Sequence, residues 1–112
     1  MNIDWTKEFP AAITVCDTHG VIIAMNDKAC DTFAADGGKE LIGHNLKDCH
    51  KPESWAKIQD MLANGSKNTY TIEKNGIRKM IYQQPWYQDG KIAGIVEISI
   101  ELPEVLPHYV RS

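Results

Sequence analysis

The chain has 112 residues, 43% of them hydrophobic and 24% charged, with a formal net charge of -3 and a pI of about 5.7. That length is a common size for one domain and supports one real hydrophobic core without disulfides or metal. The composition excludes a disordered tail, a collagen-like chain and a disulfide-stapled mini-protein, and the absence of any Lys/Arg run longer than two residues argues against a nucleic-acid footprint.

The three cysteines, Cys16, Cys30 and Cys49, form no CxxC and no metal spacing. An odd count argues against a secreted disulfide framework and suits a reducing compartment, so a cytoplasmic location is expected. The N-terminus is acidic and broken by Pro10, unlike a signal peptide. The longest mainly apolar stretch, Ile92 to Leu102, is too short and too charged to span a bilayer, so no membrane partner is expected.

Turn signals divide the chain. Ala12 to Asp17 is a short β-rich run, Thr18-His19-Gly20 a turn, and Val21 to Met25 a second apolar run, which together predict a hairpin. Asn26 stands where a helix N-cap is wanted, with Ala29, Cys30 and Phe33 at helical spacing behind it and Gly37-Gly38 as the stop. Lys39 to Leu46 is too polar and Gly-marked for a long element, and one or two helical turns are expected there. Pro52 suits the first position of a helix whose apolar face carries Trp55, Ile58, Met61 and Leu62, and Asn64-Gly65 ends it.

The last third is strand-like. Asn68 to Lys74 leads through the hairpin turn Asn75-Gly76 into Ile77 to Tyr87, then through Asp89-Gly90 into an alternating strand. In that strand Ile92, Gly94, Val96, Ile98 and Ile100 alternate with Ala93, Ile95, Glu97, Ser99 and Glu101. The more apolar set is expected to face the core. The tail from Pro103 is expected to be irregular. Two hairpin strands must join three meander strands or leave their edges unpaired, and the helices must cover one face. The expected fold is therefore α+β: a five-stranded antiparallel sheet in the order ββ, helices, βββ. Residues 9–102 form its body, 1–8 an N-terminal cap and 103–112 a tail.

This order, with these residues, resembles a PAS domain. Asp17-Thr18-His19-Gly20-Val21-Ile22 resembles the family's opening hairpin, and Asn26 to Phe33 its Asn-x-x-Ala-x-x-x-Phe helix. Glu40-Leu41-Ile42-Gly43-His44-Asn45 is similar to its E-L-I-G-x-N segment, and Asp89-Gly90-Lys91-Ile92-Ala93-Gly94 to its D-G-x-x-x-G hairpin. The likeness covers about residues 7 to 102. It implies a sensory module that binds a small molecule or cofactor between sheet and helices and signals through dimer contacts. Two departures matter. Ser99 to Pro103 replaces the Asp-x-Thr that leads into a signalling helix in sensor kinases, and Pro103 blocks such a helix; if the chain is a whole protein, an effector protein acting in trans is expected. In the light-sensing flavin members a reactive cysteine follows Gly-x-Asn. Here Leu46 follows Gly43-His44-Asn45, and Cys49 comes three residues later, so a covalent flavin adduct is not expected.

The candidate pocket lining is Phe33, Ile42, Leu46, His50, Trp55, Ile58, Tyr70, Tyr82, Gln84, Trp86 and Ile98. The apolar members would give shape, and His50, Tyr82 and Gln84 orientation. Of the adjacent pair Gln83 and Gln84, a period of two sends one inward, where it needs a partner. The ligand's identity stays open. One alternative is a haem or redox sensor using His50 or Cys49, next to the positive end of a helix. Another is an interaction module with a filled core. No G-x-S-x-G, P-loop, G-x-G-x-x-G or H-E-x-x-H is present, so no enzyme and no metal site is expected. For a homodimer interface the apolar N-terminal residues Ile3, Trp5 and Phe9, together with Ile95 on the outer sheet face, are the candidates.

Overall fold

The computed structural model describes residues 3–112, so the first two positions of the N-terminal cap lie outside the described residues. Strand β1 (Ala12–Asp17) and β2 (Ile22–Met25) form the opening hairpin. The Asp17 side chain shapes its turn by accepting hydrogen bonds from the backbone N–H groups of His19 and Val21. Helix α1 (Asp27–Thr32) follows at once. It is capped by Asn26, whose Oδ1 accepts from the Ala29 N–H at 3.0 Å. The helix stops at Phe33, four residues before the expected glycine, and continues as two 3₁₀ turns, Ala34–Asp36 and Gly38–Leu41. A third 3₁₀ turn, Leu46–Asp48, is capped by Asn45.

Helix α2 (Pro52–Asn64) begins with proline at its first turn, where no N–H is missed. It ends in left-handed Gly65, whose N–H reaches the Met61 carbonyl at 2.9 Å. Ile58 and Met61 are its buried residues. With Cys16 and Ile95 they make the core cluster, against which Leu46, Trp55 and Leu62 pack. Each fully buried aliphatic side chain of this kind contributes about 1.5–3 kcal/mol.

Strands β3 (Asn68–Lys74), β4 (Ile77–Gln88) and β5 (Lys91–Glu101) form the meander. Positive φ at both Asn75 and Gly76, and again at Asp89 and Gly90, identifies two type I′ turns, whose twist matches the strands. All pairings are antiparallel and the strand order is β2-β1-β5-β4-β3, so β5 joins the two hairpins at the centre. The expected α+β architecture is the one observed, and the residues after Leu102 form no helix or strand.

The sheet faces are reversed from the expected arrangement. Directly paired residues share a face, and the register pairs Cys16 with Ile95, both in the core cluster beneath α2. Ile95 is only 4% exposed, so its assignment to an outer interface is wrong. Its alternates Val96 and Ile98 therefore face away from the helices. So do their β4 partners Gln84 and Tyr82, and Trp86, which pairs with Gly94. The physical reason is the strict period of two, in which a shift of one residue moves every side chain to the other face.

The N-terminal segment runs beside β1 and β2. Asn26 holds it, donating from Nδ2 to the carbonyls of Thr6 and Ala11. Lys7 pairs with Asp27 at 3.0 Å across the same junction. Asp4, Thr6 and Lys7 share a shallow depression with the outward residues Ile13 and Val15. Trp5 and Phe9 pack edge to face, 5.5 Å between ring centres, and both remain exposed, as does Ile3.

Candidate functional site

Three cavities meet between the helices and the inner face of the sheet, and His50 lines all of them. The first, of about 310 Å³, lies under the start of α2, with Ser54, Ile58, Asn68, Tyr70 and Gln83 in its wall. The third, of about 470 Å³, lies beneath the 3₁₀ turns, walled by Ile22, Phe33, Leu41 and Leu46. A constriction of about 40 Å³ connects them, bounded by Thr14, Cys16, Ile95, Gln83 and Glu97. The two larger chambers fall in the range of small-molecule pockets, roughly 300–1,000 Å³.

A polar strip crosses the floor of this groove along three neighbouring strands. Asn68 on β3 donates to Gln83 Oε1 at 2.8 Å, and Gln83 Nε2 donates to Glu97 Oε1 on β5 at 2.7 Å. Register explains the line, because Asn68 pairs with Gln83 and Gln83 with Glu97. An ionised carboxylate only accepts hydrogen bonds, so Glu97 fixes the orientation of the Gln83 amide and, through it, that of Asn68. Gln83 is buried, and its two amide atoms are both satisfied within the strip. Tyr70 stands beside the strip. Burial first, and then the charge of Glu97, pushes its phenol above the ordinary range.

On the roof, His50 Nδ1 lies 2.9 Å from the Leu46 carbonyl. A carbonyl can only accept, so Nδ1 carries a proton and, in the neutral ring, Nε2 is left as an acceptor. Adjacent Cys49 is exposed, whereas Cys16 on the floor is buried and its thiol is pushed up by burial.

The structure thus brings together Phe33, Leu46, His50, Ile58 and Tyr70 of the predicted lining. Trp55 packs against the core cluster but lines none of the three cavities, its ring lying against Gly20, where a Cβ would meet the indole at 2.6 Å. Ile42 is on the surface. Tyr82, Gln84, Trp86 and Ile98 belong to the opposite sheet face. There Gln84 donates to the Tyr82 hydroxyl at 2.9 Å, and Trp86 Nε1 donates to the Cys16 carbonyl at 3.0 Å across glycine-bare β5. Sequence reasoning missed Thr14, Asn68, Gln83 and Glu97. Their signal was present in the alternation, since placing Gln83 inward sets Glu97 and Ile95 inward with it.

A family model described as a PAS domain matches residues 10–85. The chain belongs to the PAS family. Among solved structures, the Aer2 receptor of Vibrio cholerae, titled a dual PAS-heme oxygen sensor, aligns with a TM-score of 0.64 and 16% identity, over 83% of this chain and 95% of that one. The Vibrio cholerae VqmA dimer, described as a LuxR-type receptor, aligns with a TM-score of 0.69 and 17% identity, over 89% of this chain. This chain spans about half of VqmA, 49% of its length. A C-terminal domain from Streptococcus mutans aligns with a TM-score of 0.69 and 18% identity, over 86% of this chain and 78% of that one. These likenesses establish the shared fold. No curated protein matches the sequence at a significant level.

Proposed function

We propose that this PAS domain is a small-molecule sensor that takes its ligand in the groove between α2, the 3₁₀ turns and the sheet, and acts by binding rather than catalysis. The observation that carries this reading is the set of chambers converging on His50 over one hydrogen-bonded polar strip. Apolar walls with few converging polar groups suit a small organic molecule. Two structural neighbours support the reading: VqmA is described bound to DPO, and Aer2 as a PAS-heme oxygen sensor. The sensory body is residues 9–102, with 1–8 as its cap and 103–112 as its tail, and a cytoplasmic setting suits its free thiols. No helix among the described residues is long and apolar enough to cross a membrane.

Haem fits this groove poorly. His50 would offer Nε2 as an axial ligand. The groove's charged lining, however, is Asp36, Asp48, Glu53 and Glu97 against the single cation Lys57, which would repel haem propionates. A filled-core module is disfavoured by the volume of the chambers.

The test is a fragment screen followed by ¹H–¹⁵N spectroscopy. Hits are expected to move the amides of Leu46, His50, Ile58 and Gln83. Ser54→Trp, placed on an exposed helix position at the wall of the first chamber, should abolish binding there without unfolding the chain. Hits that leave all of these amides still would contradict the reading.

The outer sheet face carries the signal in this account. It presents Val96, Ile98, Ile100, Tyr82 and Trp86 with no helix over them, beside the exposed Ile3, Trp5 and Phe9. An apolar sheet face of this extent needs a cover, and a second copy supplies one symmetrically. Sedimentation at micromolar concentration should show a dimer, and Ile98→Lys should shift it to monomer by about tenfold or more in dissociation constant. A monomeric wild type, or a variant that associates as before, would place the signalling contact elsewhere.

A further inference from the structure

We infer that the groove selects a small organic cation, an ammonium group carried on a compact apolar body, and that Glu97 is its charge partner. The inference rests on the ligand-binding reading above and specifies its chemistry.

The polar strip leaves one charged group available, the carboxylate of Glu97, and that group only accepts hydrogen bonds. One oxygen of Glu97 receives Gln83 Nε2 and is occupied. The second oxygen has no protein donor among the described residues, and Glu97 takes part in no ion pair there. Yet Glu97 borders both the constriction and the larger chamber, and it is half-buried. Its second oxygen is open to the cavity, where a charged donor would meet a carboxylate already held in place by Gln83. With a neutral ring His50 adds a second acceptor on the roof, because its Nδ1 proton is committed to the Leu46 carbonyl. At the far end Asn68 has turned its amino group towards Gln83, so its Oδ1 is the remaining acceptor. The strip is therefore ordered from Glu97 outwards, and its free oxygens, the second of Glu97 and Oδ1 of Asn68, can each take a donor.

Charge points the same way. Of the charged side chains along the groove, Asp36 and Asp48 join Glu97 in the larger chamber, where no cation lines the wall. Under α2, Glu53 is balanced by Lys57. An anionic ligand would meet carboxylates without a guanidinium or ammonium partner in the larger chamber, whereas a cation would be drawn in and held. Leu46, Ile22 and Phe33 in the same wall suit an apolar body beside that charge. Charge-assisted hydrogen bonds are about twice as strong as neutral ones, so this pair would dominate the choice among ligands of equal shape.

A matched set of three probes tests this: 2-phenylethylammonium, 2-phenylethanol and 3-phenylpropionate, titrated separately by ¹H–¹⁵N spectroscopy at low salt. The ammonium compound is expected to bind at least about tenfold more tightly than the alcohol, with the propionate weakest. In Glu97→Gln, which keeps the shape and a hydrogen-bonding group, the ammonium preference should collapse to about the level of the alcohol. The wild-type comparison stands even where that variant fails to fold. Equal binding of alcohol and ammonium, or tighter binding of the propionate, would overturn the cation assignment while leaving the groove a ligand site. Failure of all three to perturb His50, Ile58 or Glu97 would overturn the ligand reading and this inference together.

Discussion

Gly94→Ala is expected to destabilise the fold by about 3 kcal/mol or more, measured by chemical denaturation. The position lies on β5, paired with Asp17 of β1 on one side and Trp86 of β4 on the other. A Cβ there would sit 1.8 Å from the Cys16 carbonyl oxygen and 2.6 Å from Trp86 Nε1. Neither neighbour yields cheaply. The carbonyl belongs to β1, paired along its whole length with β5, and the indole N–H is held to that same carbonyl at 3.0 Å. Relief requires separating two central strands or ejecting Trp86 from the sheet. A loss below about 1 kcal/mol would mean that the close approach does not exist.

Asn26→Ala is the second large effect, expected at about 3 kcal/mol. Asn26 is buried, and its side chain works in two directions. Its Oδ1 accepts from Ala29 N–H, capping α1, and from Ile13 N–H at 2.9 Å, closing the start of β1. Its Nδ2 donates to the Thr6 and Ala11 carbonyls, anchoring the N-terminal segment. Alanine leaves buried backbone groups without partners, and each such orphan costs about 1–3 kcal/mol. Asn26→Asp keeps the acceptor and loses the donors, so its loss should be intermediate. Hydrogen exchange should show residues 6–11 released in both variants. An Asp variant as stable as wild type would mean that the anchoring bonds contribute nothing.

The sequence made the architecture legible for identifiable reasons. Asn26 as cap, Pro52 and Gly65 as helix limits, and the Asn75-Gly76 and Asp89-Gly90 turns are positions where local chemistry permits few conformations, and each is used as expected. Helix α1 ended early because the backbone tightens into 3₁₀ turns after Phe33, a geometry for which the Ala-Ala-Asp stretch carries no distinct signal. The site was half legible. Phe33, Leu46, His50 and Ile58 followed from the helix and loop positions that must face a sheet.

The β4 and β5 residues of the expected lining went to the wrong side because β5 inverts the usual pattern. Its more apolar set, Val96, Ile98 and Ile100, lies away from the helices, while Glu97 and Ser99 share the helix side with Ile95. Polar groups lie on the floor of the groove, and apolar ones lie on the face that no helix covers. Hydrophobicity alone therefore chose the wrong face. The discriminating clue was pairwise. Gln83, opposite both Asn68 and Glu97, forms a polar line that only a shared inner face can satisfy.

The most direct test of the account is intermolecular nuclear Overhauser contact between a bound fragment and the methyl groups of the selectively labelled protein. Leu46, Ile58 and Ile95 should show contacts to the ligand, and Val96, Ile98 and Ile100 none. Contacts to Val96 or Ile98 with silence at Ile58 and Ile95 would place the ligand on the outer face, and the groove over Glu97 would not be the sensing site.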